Sequence, residues 1–171
     1  YWVLYLNGTD HITLKNITLK NQGTSNSMRI FLTGVTDSVT IESSKFVGTV
    51  TNSSSNSYTA IWGSGGDATG LKIKNNTFTD GGGFAIYLDS DNTSSPPTGL
   101  EISNNTFTDT YAGIYVNYYD ALTIRGNSIK GSDMYDKGIS LSYCDGANVV
   151  EDNQINAPDL TYGIYLTYCQ A

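Results

Sequence analysis

Basic residues are scarce in this chain of 171 residues, which contains nine Lys and Arg against sixteen Asp and Glu. The formal net charge is −7, and the nine basic residues do not cluster into a stripe along the sequence. Binding to nucleic acid depends on Lys and Arg that neutralise phosphates, so this balance argues against a nucleic-acid partner.

Long apolar runs are also missing, because no stretch approaches the roughly 20 apolar residues that a helix needs to cross a bilayer. We therefore expect no membrane insertion. There are three prolines, and no helical periodicity extends beyond one turn, so we expect little or no α-helix. The chain begins without Met and shows no signal-like segment, which predicts a mature form or an excerpt of a longer protein.

What the sequence does contain is a phrase that returns about every 25 to 31 residues. It consists of an aliphatic residue, a residue that is usually aromatic, and a further aliphatic or small residue. Such a period is typical of stacked-repeat folds, and the alternation predicts a short strand whose aliphatic residues face inward. The seven copies are Leu4-Tyr5-Leu6, Ile30-Phe31-Leu32, Ile61-Trp62-Gly63, Ile86-Tyr87-Leu88, Ile114-Tyr115-Val116, Ile139-Ser140-Leu141 and Ile164-Tyr165-Leu166.

A second strand and a third apolar position follow in most copies, which predicts three strands in each coil of the repeat. The second strands are Ile12-Thr13-Leu14, Val39-Thr40-Ile41, Leu71-Lys72-Ile73, Leu100-Glu101-Ile102, Leu122-Thr123-Ile124 and Val149-Val150. The third positions are Leu19, Phe46, Phe78, Phe107, Ile129 and Ile155.

The tight turn between the second and third strands carries an asparagine at one equivalent position in four coils, with Ile17 and Ser44 in the two earlier ones. These asparagines are Asn76, Asn105, Asn127 and Asn153. A residue bent inward at such a corner can adopt the left-handed conformation that Asn tolerates, and its amide can bond to the copies above and below. The pattern therefore predicts an asparagine ladder.

With the segments "GLKIKNNTF", "GLEISNNTF" and "ALTIRGNSI", the chain resembles the right-handed parallel β-helix family, the parallel β-helix repeats of the pectate-lyase-like superfamily. The resemblance covers essentially the whole sequence. It implies an all-β solenoid of about seven coils with three short parallel sheets, in a single domain over residues 1–171. The second strands support this register, because their outward residues would stack with mostly alternating charge. These residues are Lys15, Glu42, Lys74, Ser103, Arg125 and Glu151.

A column of outward residues on the first strands is the main candidate for a binding surface. Its members are Tyr5, Phe31, Trp62, Tyr87, Tyr115, Ser140 and Tyr165, and beside them run Asn7, Thr33, Ser64, Asp89, Asn117, Ser142 and Thr167. Aromatic rings beside hydrogen-bonding groups suit a sugar polymer, and in families that resemble this one the same face often holds polysaccharide. Stacking alone, or a protein interface, explains the aromatics equally well.

Two insertions favour the ligand-binding hypothesis. The segment "VGTVTNSSSNS" lengthens the loop before Trp62, and "SDNTSSPPT" lengthens the loop after Tyr87. They could wall a cleft whose predicted ligand contacts are Trp62, Ser64, Tyr87, Asp89, Tyr115 and Asn117. Polar loops of this kind are also common sites of tolerated insertion.

The sequence provides little for catalysis. A glycoside hydrolase needs two carboxylates, and a lyase or epimerase needs a base together with a cation or Ca²⁺; Asp89 and Asp91 are the candidates for the acid and base. Neither the Gly-His-Gly and Asn-Thr-Asp elements of polygalacturonases nor the Asp-Pro-His-Asp element of alginate epimerases is present. The single histidine, His11, falls in a corner of the first coil and is interpreted as incidental.

We expect no cofactor. An Asp recurs after the first strand, where stacked carboxylates could hold Ca²⁺, although Asp at a turn more often bonds to nearby backbone N–H groups. These are Asp10, Asp37, Asp67, Asp120 and Asp145. Cys144 and Cys169 share one repeat position, so they form either a disulfide or a pair of stacked buried thiols.

Six Asn-x-Ser/Thr sequons and sparse charge favour a glycoprotein in an extracellular or cell-surface location. The sequons begin at Asn7, Asn16, Asn52, Asn75, Asn92 and Asn104. Neither end of the sequence carries a helix that would cover the stack, so we expect end-to-end or lateral self-association, as in a filament. The predicted function is a structural or recognition solenoid whose aromatic strip binds glycan or protein. The alternative is a polysaccharide lyase, epimerase or hydrolase fragment.

Overall fold

A computed structural model of the chain describes residues 2–34, 37–49, 51, 53–66 and 68–170. The described residues form seventeen β-strands and a single 3₁₀ turn at Asn56–Tyr58. All pairings between the strands are parallel, and they join each coil to the next along a β-solenoid. No helix in the described part of the chain has the length and apolarity that crossing a bilayer requires.

The first face holds one strand, or part of one, from each of seven coils. Its strands are β1 (Leu4–Asn7), β4 (Ile30–Thr33), β7 (Ile61–Ser64), the ends of β9 (Thr77–Asp89) and β11 (Thr106–Asn117), β14 (Lys137–Ser142) and β17 (Tyr162–Thr167). The predicted copies pair in register, as in Tyr5 with Phe31 and Ser140 with Tyr165. The parallel β-helix predicted from the repeat is confirmed.

The second face is a separate six-stranded sheet. Its strands are β2 (Thr13–Lys15), β5 (Thr40–Glu42), β8 (Lys72–Lys74), β10 (Glu101–Ser103), β12 (Thr123–Arg125) and β15 (Val149–Glu151). Outward charges alternate as predicted, and Glu42 contacts Lys15 at 2.8 Å and Lys74 at 3.3 Å. Arg125 pairs with Glu101 at 3.5 Å rather than with its neighbours in the column.

The third face comprises β3 (Thr18–Lys20), β6 (Lys45–Val47), the beginnings of β9 and β11, β13 (Ser128–Lys130) and β16 (Gln154–Asn156). In the middle of the solenoid this face is continuous with the first, because β9 and β11 each run around the corner without a break. Hydrogen bonding therefore gives an eleven-stranded and a six-stranded sheet, where the sequence predicted three short ones. The solenoid has six complete coils, and β17 begins a seventh.

One hydrophobic core runs through the described coils, built from the inward residues of all three faces. Ile30, Ile61, Ile86, Ile114 and Ile139 are fully buried along the first face. On the third face Phe46, Phe78 and Phe107 stack with ring centroids 4.7 and 4.8 Å apart. Each side chain thus packs mainly against the coils above and below it, as in other solenoids.

The four corner asparagines form the ladder between the second and third faces. Asn76, Asn105 and Asn127 each donate a backbone N–H to the side-chain oxygen of the next asparagine, at 2.9 to 3.0 Å. Their side-chain amides also donate to backbone carbonyls, as Asn105 does to Ile73 at 2.8 Å. All of these contacts are internal, so the ladder holds the coils together without facing a ligand.

The sequence predicted the left-handed conformation at the ladder asparagine, but the structure has it at the residue before. Asn75 and Asn104 have φ values of +57° and +54°, whereas no positive φ is found at Asn76 or Asn105. The left-handed residue turns the chain sharply, and this turn directs the next side chain inward. The prediction was therefore misplaced by one position.

Candidate functional site

The six predicted ligand contacts form a patch of two columns and three coils on the first face. Between β7 and β9, Trp62 pairs with Tyr87 and Ser64 pairs with Asp89. Between β9 and β11, Tyr87 pairs with Tyr115 and Asp89 pairs with Asn117. Because alternate residues of a strand point to the same side, the outward columns stand side by side. We call this arrangement the central patch.

Aromatic rings continue from the central patch toward the first coil. Phe31 stacks on Trp62 with ring centroids 4.6 Å apart, and Tyr5 stacks on Phe31 at 5.5 Å. Trp2, just before the first strand, contacts both Tyr5 and Phe31 at 5.1 and 5.2 Å. The first three coils therefore present a continuous aromatic surface, of which Tyr5 is 44% exposed.

Phe84, which the sequence analysis did not single out, packs against both tyrosines of the central patch. Phe84 is buried in β9, and its ring lies 5.0 Å from Tyr87 and 4.7 Å from Tyr115, nearly perpendicular to the latter. Tyr87 and Tyr115 themselves stack at 6.1 Å. This packing fixes the orientation of both rings before any ligand arrives.

Asp89 lies half-buried in the polar column of the central patch. Burial raises the pKa of its carboxyl group, although hydrogen bonds with Asn117 and Tyr87 act in the opposite direction. The hydroxyl of Tyr87 donates to Asp89 Oδ2 at 3.4 Å. Asp91 lies beyond the strand in the following loop, with a carboxylate oxygen facing Gly65. Their roles as acid and base stay predictions.

A cluster of opposite charges adjoins Tyr115, and it was not predicted. Lys137 Nζ donates to the Tyr115 hydroxyl at 2.8 Å and pairs with Asp136 Oδ1 at 2.9 Å, while the same hydroxyl donates to Asp136 Oδ2. Burial, followed by the hydrogen bond to Asp136, raises the pKa of Tyr115 above its usual range. Tyr115 is therefore a neutral phenol at physiological pH, and both charges beside it are already paired.

Lys137 also replaces a missing aromatic in the first-face column. Ser140 occupies the aromatic position of the sixth coil and is buried, and the Lys137 ammonium lies 5.2 Å from the Tyr115 ring and 5.1 Å from the Tyr165 ring. A cation between two tyrosine faces is a favourable electrostatic arrangement. The column is thus continuous through coil six, with a lysine in place of a ring.

A second tyrosine column, which the sequence analysis missed, follows the ends of the last three first-face strands. Tyr118, Tyr143 and Tyr168 stack with ring centroids 4.9 and 4.8 Å apart and interplanar angles of 10° and 11°. Tyr143 is 44% and Tyr168 68% exposed. The signal was present in the repeated segments "VNYY", "LSYC" and "LTYC", each with Tyr directly after the polar column. We call these three residues the tyrosine ladder.

The backbone of the tyrosine ladder is strained. All three tyrosines are left-handed, with φ values of +57°, +53° and +53°, and the equivalent residues of the first three coils are glycines, Gly8, Gly34 and Gly65. A left-handed non-glycine residue costs about 1–2 kcal/mol, or roughly 3–6 kcal/mol for three. Two stacked pairs return about 1–3 kcal/mol. The stacking figure leaves out the ring surface that is buried. Glycine avoids the strain altogether, as in the first three coils, so the turn itself does not select tyrosine.

The two insertions lie at opposite edges of the first face. The described part of the first packs on β9, because a Cβ added to Gly83 would lie 2.7 Å from the carbonyl oxygen of Ser55, and one added to Gly82 would lie 2.6 Å from that of Tyr58, directly after the insertion. Tyr58 also donates its hydroxyl to the carbonyl of Thr24 at 2.8 Å. The second insertion ends against coil five, where Asp120 N donates to Pro97 O at 3.0 Å. The insertions thus flank the face, one at each side.

Three of the sequons have a structural explanation. Asn16, Asn75 and Asn104 are the exposed left-handed residues of the corner between the second and third faces, and a strand residue, Thr18, Thr77 or Thr106, follows two positions later. The turn thus favours the same residues as the sequon. This corner also borders a groove of about 440 Å³, far from the first face. Asn7 is the last residue of β1, Asn92 lies in the loop after β9, and Asn52 lies outside the described residues.

Three of the recurring aspartates accept hydrogen bonds from backbone N–H groups, as Asp at a turn commonly does. Asp10, Asp120 and Asp145 each accept a hydrogen bond from the backbone N–H of the equivalent position in the next coil, at 2.8 to 2.9 Å. Asp67 lies outside the described residues. These carboxylates therefore act as a corner ladder similar to that of the asparagines.

The structure has both cysteines free, with Cys144 buried and Cys169 half-buried, and the choice between a disulfide and stacked buried thiols stays a prediction. Each sulfur contacts the carbonyl oxygen of the residue two positions earlier. The distance is 3.3 Å from Cys144 to Ser142 and 3.5 Å from Cys169 to Thr167. The two side chains thus follow the repeat. Burial raises the pKa of the Cys144 thiol to about 11.

Comparison with known proteins gives one family and one solved structure. The family model described as "NosD: Periplasmic copper-binding protein (NosD)" matches residues 4–171. No curated protein matches the chain significantly. The chain is similar to the solved structure of the Streptococcus pneumoniae surface protein and adhesin PfbA, with 14% sequence identity and a TM-score of 0.51. The match covers 96% of this chain and 63% of that one, so this chain spans less than two thirds of the adhesin's length.

Copper, which the family description mentions, does not fit the residues that the structure describes. Copper sites use thiolate, thioether or imidazole ligands. Nowhere in the described ranges do three His, Cys, Asp or Glu side chains come together in a way that could hold a metal ion. The possible soft ligands are spread along the stack. His11 lies in the first coil, Met28 shortly before β4, Met134 shortly before β14, and the cysteines in the sixth and seventh coils. The Cys144 thiol, with its raised pKa, is a poor ligand at neutral pH.

Proposed function

Because the chain belongs to the NosD family of parallel β-helix proteins, we propose that it is a recognition solenoid outside the cytoplasm whose first face binds an extended glycan. A periplasmic family and a surface adhesin of the same fold support the location. The acidic, hydroxyl-rich composition is compatible with it.

The observation that carries the proposal is the central patch. Trp62, Tyr87 and Tyr115 stand in consecutive coils beside Ser64, Asp89 and Asn117, and each column has the strand spacing of about 4.8 Å. Rings can stack on the C–H faces of sugars while the polar column bonds to hydroxyl groups. Since Phe84 already holds two of the rings, little side-chain freedom is lost on binding.

A glycan array probed with the full chain and with Trp62→Ala tests the proposal. Removing the indole should weaken binding at least tenfold, since it deletes the largest ring of the central patch. Lys72→Ala is the matched control, because Lys72 is exposed on the second face and should have no effect. Binding that survives Trp62→Ala unchanged, or a parent that binds no glycan, contradicts the proposal.

Self-association is a second candidate function, favoured by the last described strand. Ile164 is 49% and Leu166 57% exposed, although the equivalent residues of coil five, Ile114 and Val116, are fully buried. An apolar strand edge of this kind can pair with a further parallel strand, which a following coil or a second copy would supply. Sedimentation velocity should then show dimers or longer species at high concentration, with Leu166→Lys shifting them to monomer. A monomer at all concentrations would exclude it.

A further inference from the structure

The last three coils carry a strip of polar residues between two columns of aromatic residues. Asn117, Ser142 and Thr167 form the strip, half-buried and aligned in register. The tyrosine ladder borders it on one side, and Tyr115, Lys137 and Tyr165 border it on the other. We infer that this strip, which we call the C-terminal strip, is a binding subsite for an uncharged glycan chain running along the solenoid axis. The inference rests on the proposed function and places its main contact in coils five to seven.

The tyrosine ladder provides accessible ring surface at this place. Tyr143 has a ring neighbour on each side and is nevertheless 44% exposed. Its exposure therefore does not come from lying at the end of the stack. Centroids 4.8 to 4.9 Å apart in nearly parallel rings indicate offset stacking, which leaves part of each face open to a ligand.

The fold itself does not require tyrosine at these positions. Gly8, Gly34 and Gly65 hold the same left-handed corner in the first three coils without strain. The turn therefore does not select tyrosine, and the exposed rings of Tyr143 and Tyr168 are accessible to a bound partner.

Charge around the C-terminal strip selects the class of glycan. Asp120 and Asp145 lie two residues beyond Tyr118 and Tyr143, and each uses one carboxylate oxygen for a backbone hydrogen bond, which leaves the negative charge at the corner. The nearby cation, Lys137, is paired with Asp136 at 2.9 Å. With a net charge of −7 on the whole chain, a uronate or phosphate polymer would be repelled. An uncharged polymer is not.

Native affinity electrophoresis of the full chain tests the inference. The gels contain a soluble β-glucan, a galactomannan, or polygalacturonate as the anionic comparison. We expect at least one neutral polymer to retard the parent and polygalacturonate not to do so. Tyr143→Gly should weaken that binding by tenfold or more, which corresponds to about 1.4 kcal/mol. Tyr143→Phe keeps the ring and should bind within a fewfold of the parent.

Tyr143→Gly is chosen because glycine adopts the left-handed conformation freely, so the variant should fold. Its thermal midpoint should be at least that of Tyr143→Ala, which keeps the strain and loses the ring. Circular dichroism of each variant accompanies the gels. If Tyr143→Gly fails to fold, Tyr168→Gly replaces it, since Tyr168 is 68% exposed and stacks on one side.

The outcomes separate this inference from the proposed function. Loss of neutral-polymer binding in Tyr143→Gly supports the C-terminal strip, and a parallel loss in Trp62→Ala shows that the same glycan also contacts the central patch, as the proposed function requires. Loss in Trp62→Ala with full binding by Tyr143→Gly overturns the inference and leaves the proposed function standing. Retardation by polygalacturonate alone also overturns the inference, because the class of glycan is then wrong. A parent that none of the polymers retards overturns it too, and the glycan array then decides separately on the proposed function.

Discussion

At the scale of single residues, the asparagine ladder shows how much one buried amide can do. Asn105 accepts from the backbone and the side chain of Asn76, at 2.9 and 3.1 Å, and donates its amide to Ile73 O and Asn127 Oδ1. It is 1% exposed, so water cannot take over these bonds. Such a residue stabilises three neighbouring coils at once.

We therefore predict that Asn105→Ala lowers the free energy of unfolding by roughly 2–4 kcal/mol, because it leaves a buried N–H and a buried carbonyl without partners. Urea unfolding followed by circular dichroism measures the loss. Asn104→Gly is the matched control one residue away, since Asn104 is exposed and left-handed with φ +54°. It should change stability by less than about 1 kcal/mol. Equal losses in both variants would contradict the prediction.

The pKa of Tyr115 leads to a second prediction at this scale. Its folded-state pKa is raised, so the neutral phenol contributes stability that is complete below the unfolded pKa of about 10 and is lost as the pH rises above it. Absorbance titration at alkaline pH should show Tyr115 ionising after most other tyrosines. Tyr115→Phe should remove that late step and reduce the fall in stability above pH 10. An unchanged titration curve in the variant would count against this account.

Residue roles were only partly predictable from the sequence. The ladder positions Asn76, Asn105, Asn127 and Asn153 could be read from spacing, since the repeat aligns them. The left-handed residue could not be placed, because in "KNN" and "SNN" both asparagines tolerate that conformation. Asp136 precedes β14 and Lys137 begins it, both outside the repeated phrases, so the sequence analysis did not single them out, and only the fold brings them to Tyr115.

At the scale of elements, the third-face phenylalanines couple three coils through one stack. Phe46, Phe78 and Phe107 are fully buried and nearly parallel, with interplanar angles of 9° and 11°. Phe78 is the middle ring and touches both neighbours. Its side chain should therefore contribute more to stability than a residue at the end of the same column, such as half-buried Leu19.

We predict that Phe78→Ala destabilises the protein by about 3–5 kcal/mol, through lost burial and a cavity between the two remaining rings. Phe78→Leu fills most of the volume and should therefore lose less than half as much stability as Phe78→Ala. Guanidinium unfolding should give a lower midpoint with an unchanged slope. A loss below about 1 kcal/mol for the alanine variant would show that the stack relaxes around the gap.

The short strands were predictable because inward aliphatic residues recur at period two in every coil. The fusion of the first and third faces was not. In β9 and β11 the chain turns the corner through left-handed residues, Asp80 with φ +49° and Asp109 with φ +53°, and the pairing register shifts beside the second of them. An aspartate in a sequence is typical of a loop, so nothing at these positions indicates that the strand continues around the corner.

At the scale of the whole molecule, stability depends on position along the stack. Each coil is stabilised by its neighbours, and the described end coils have a neighbour on one side. The inward residues Ile164 and Leu166 are about half exposed, whereas those of coils three to five are buried. Local opening should therefore begin at the ends and reach the middle last.

Hydrogen exchange measured by mass spectrometry checks this expectation. Amides of coils three to five should exchange on the order of a hundredfold more slowly than those of β1 and β17. Phe78→Ala should accelerate exchange in coils two to four and leave coil six almost unchanged, because coupling is between neighbours. Uniform protection along the chain would instead indicate a single cooperative unit.

The repeat in the sequence was sufficient to predict the fold, but it predicted only part of the candidate site. Register alone predicted the central patch of Trp62, Tyr87 and Tyr115, because the phrase aligns them. The repeated tyrosine in "VNYY", "LSYC" and "LTYC" could have predicted the tyrosine ladder, but nothing in these segments indicates that its backbone is left-handed. What the first face binds is a matter of chemistry beyond periodicity, so it stays a proposal with an experiment attached.

The turn between the second and third strands has a consequence for how this surface can diversify. In all six coils that connection is two residues long, as it is from β8 to β9 and from β10 to β11. The connections that flank the first face vary much more, from a continuous strand to loops of about a dozen residues. The asparagine corner thus keeps the coils in register at a constant length of chain. The loops on both sides of the first face can be lengthened or exchanged without shifting that register.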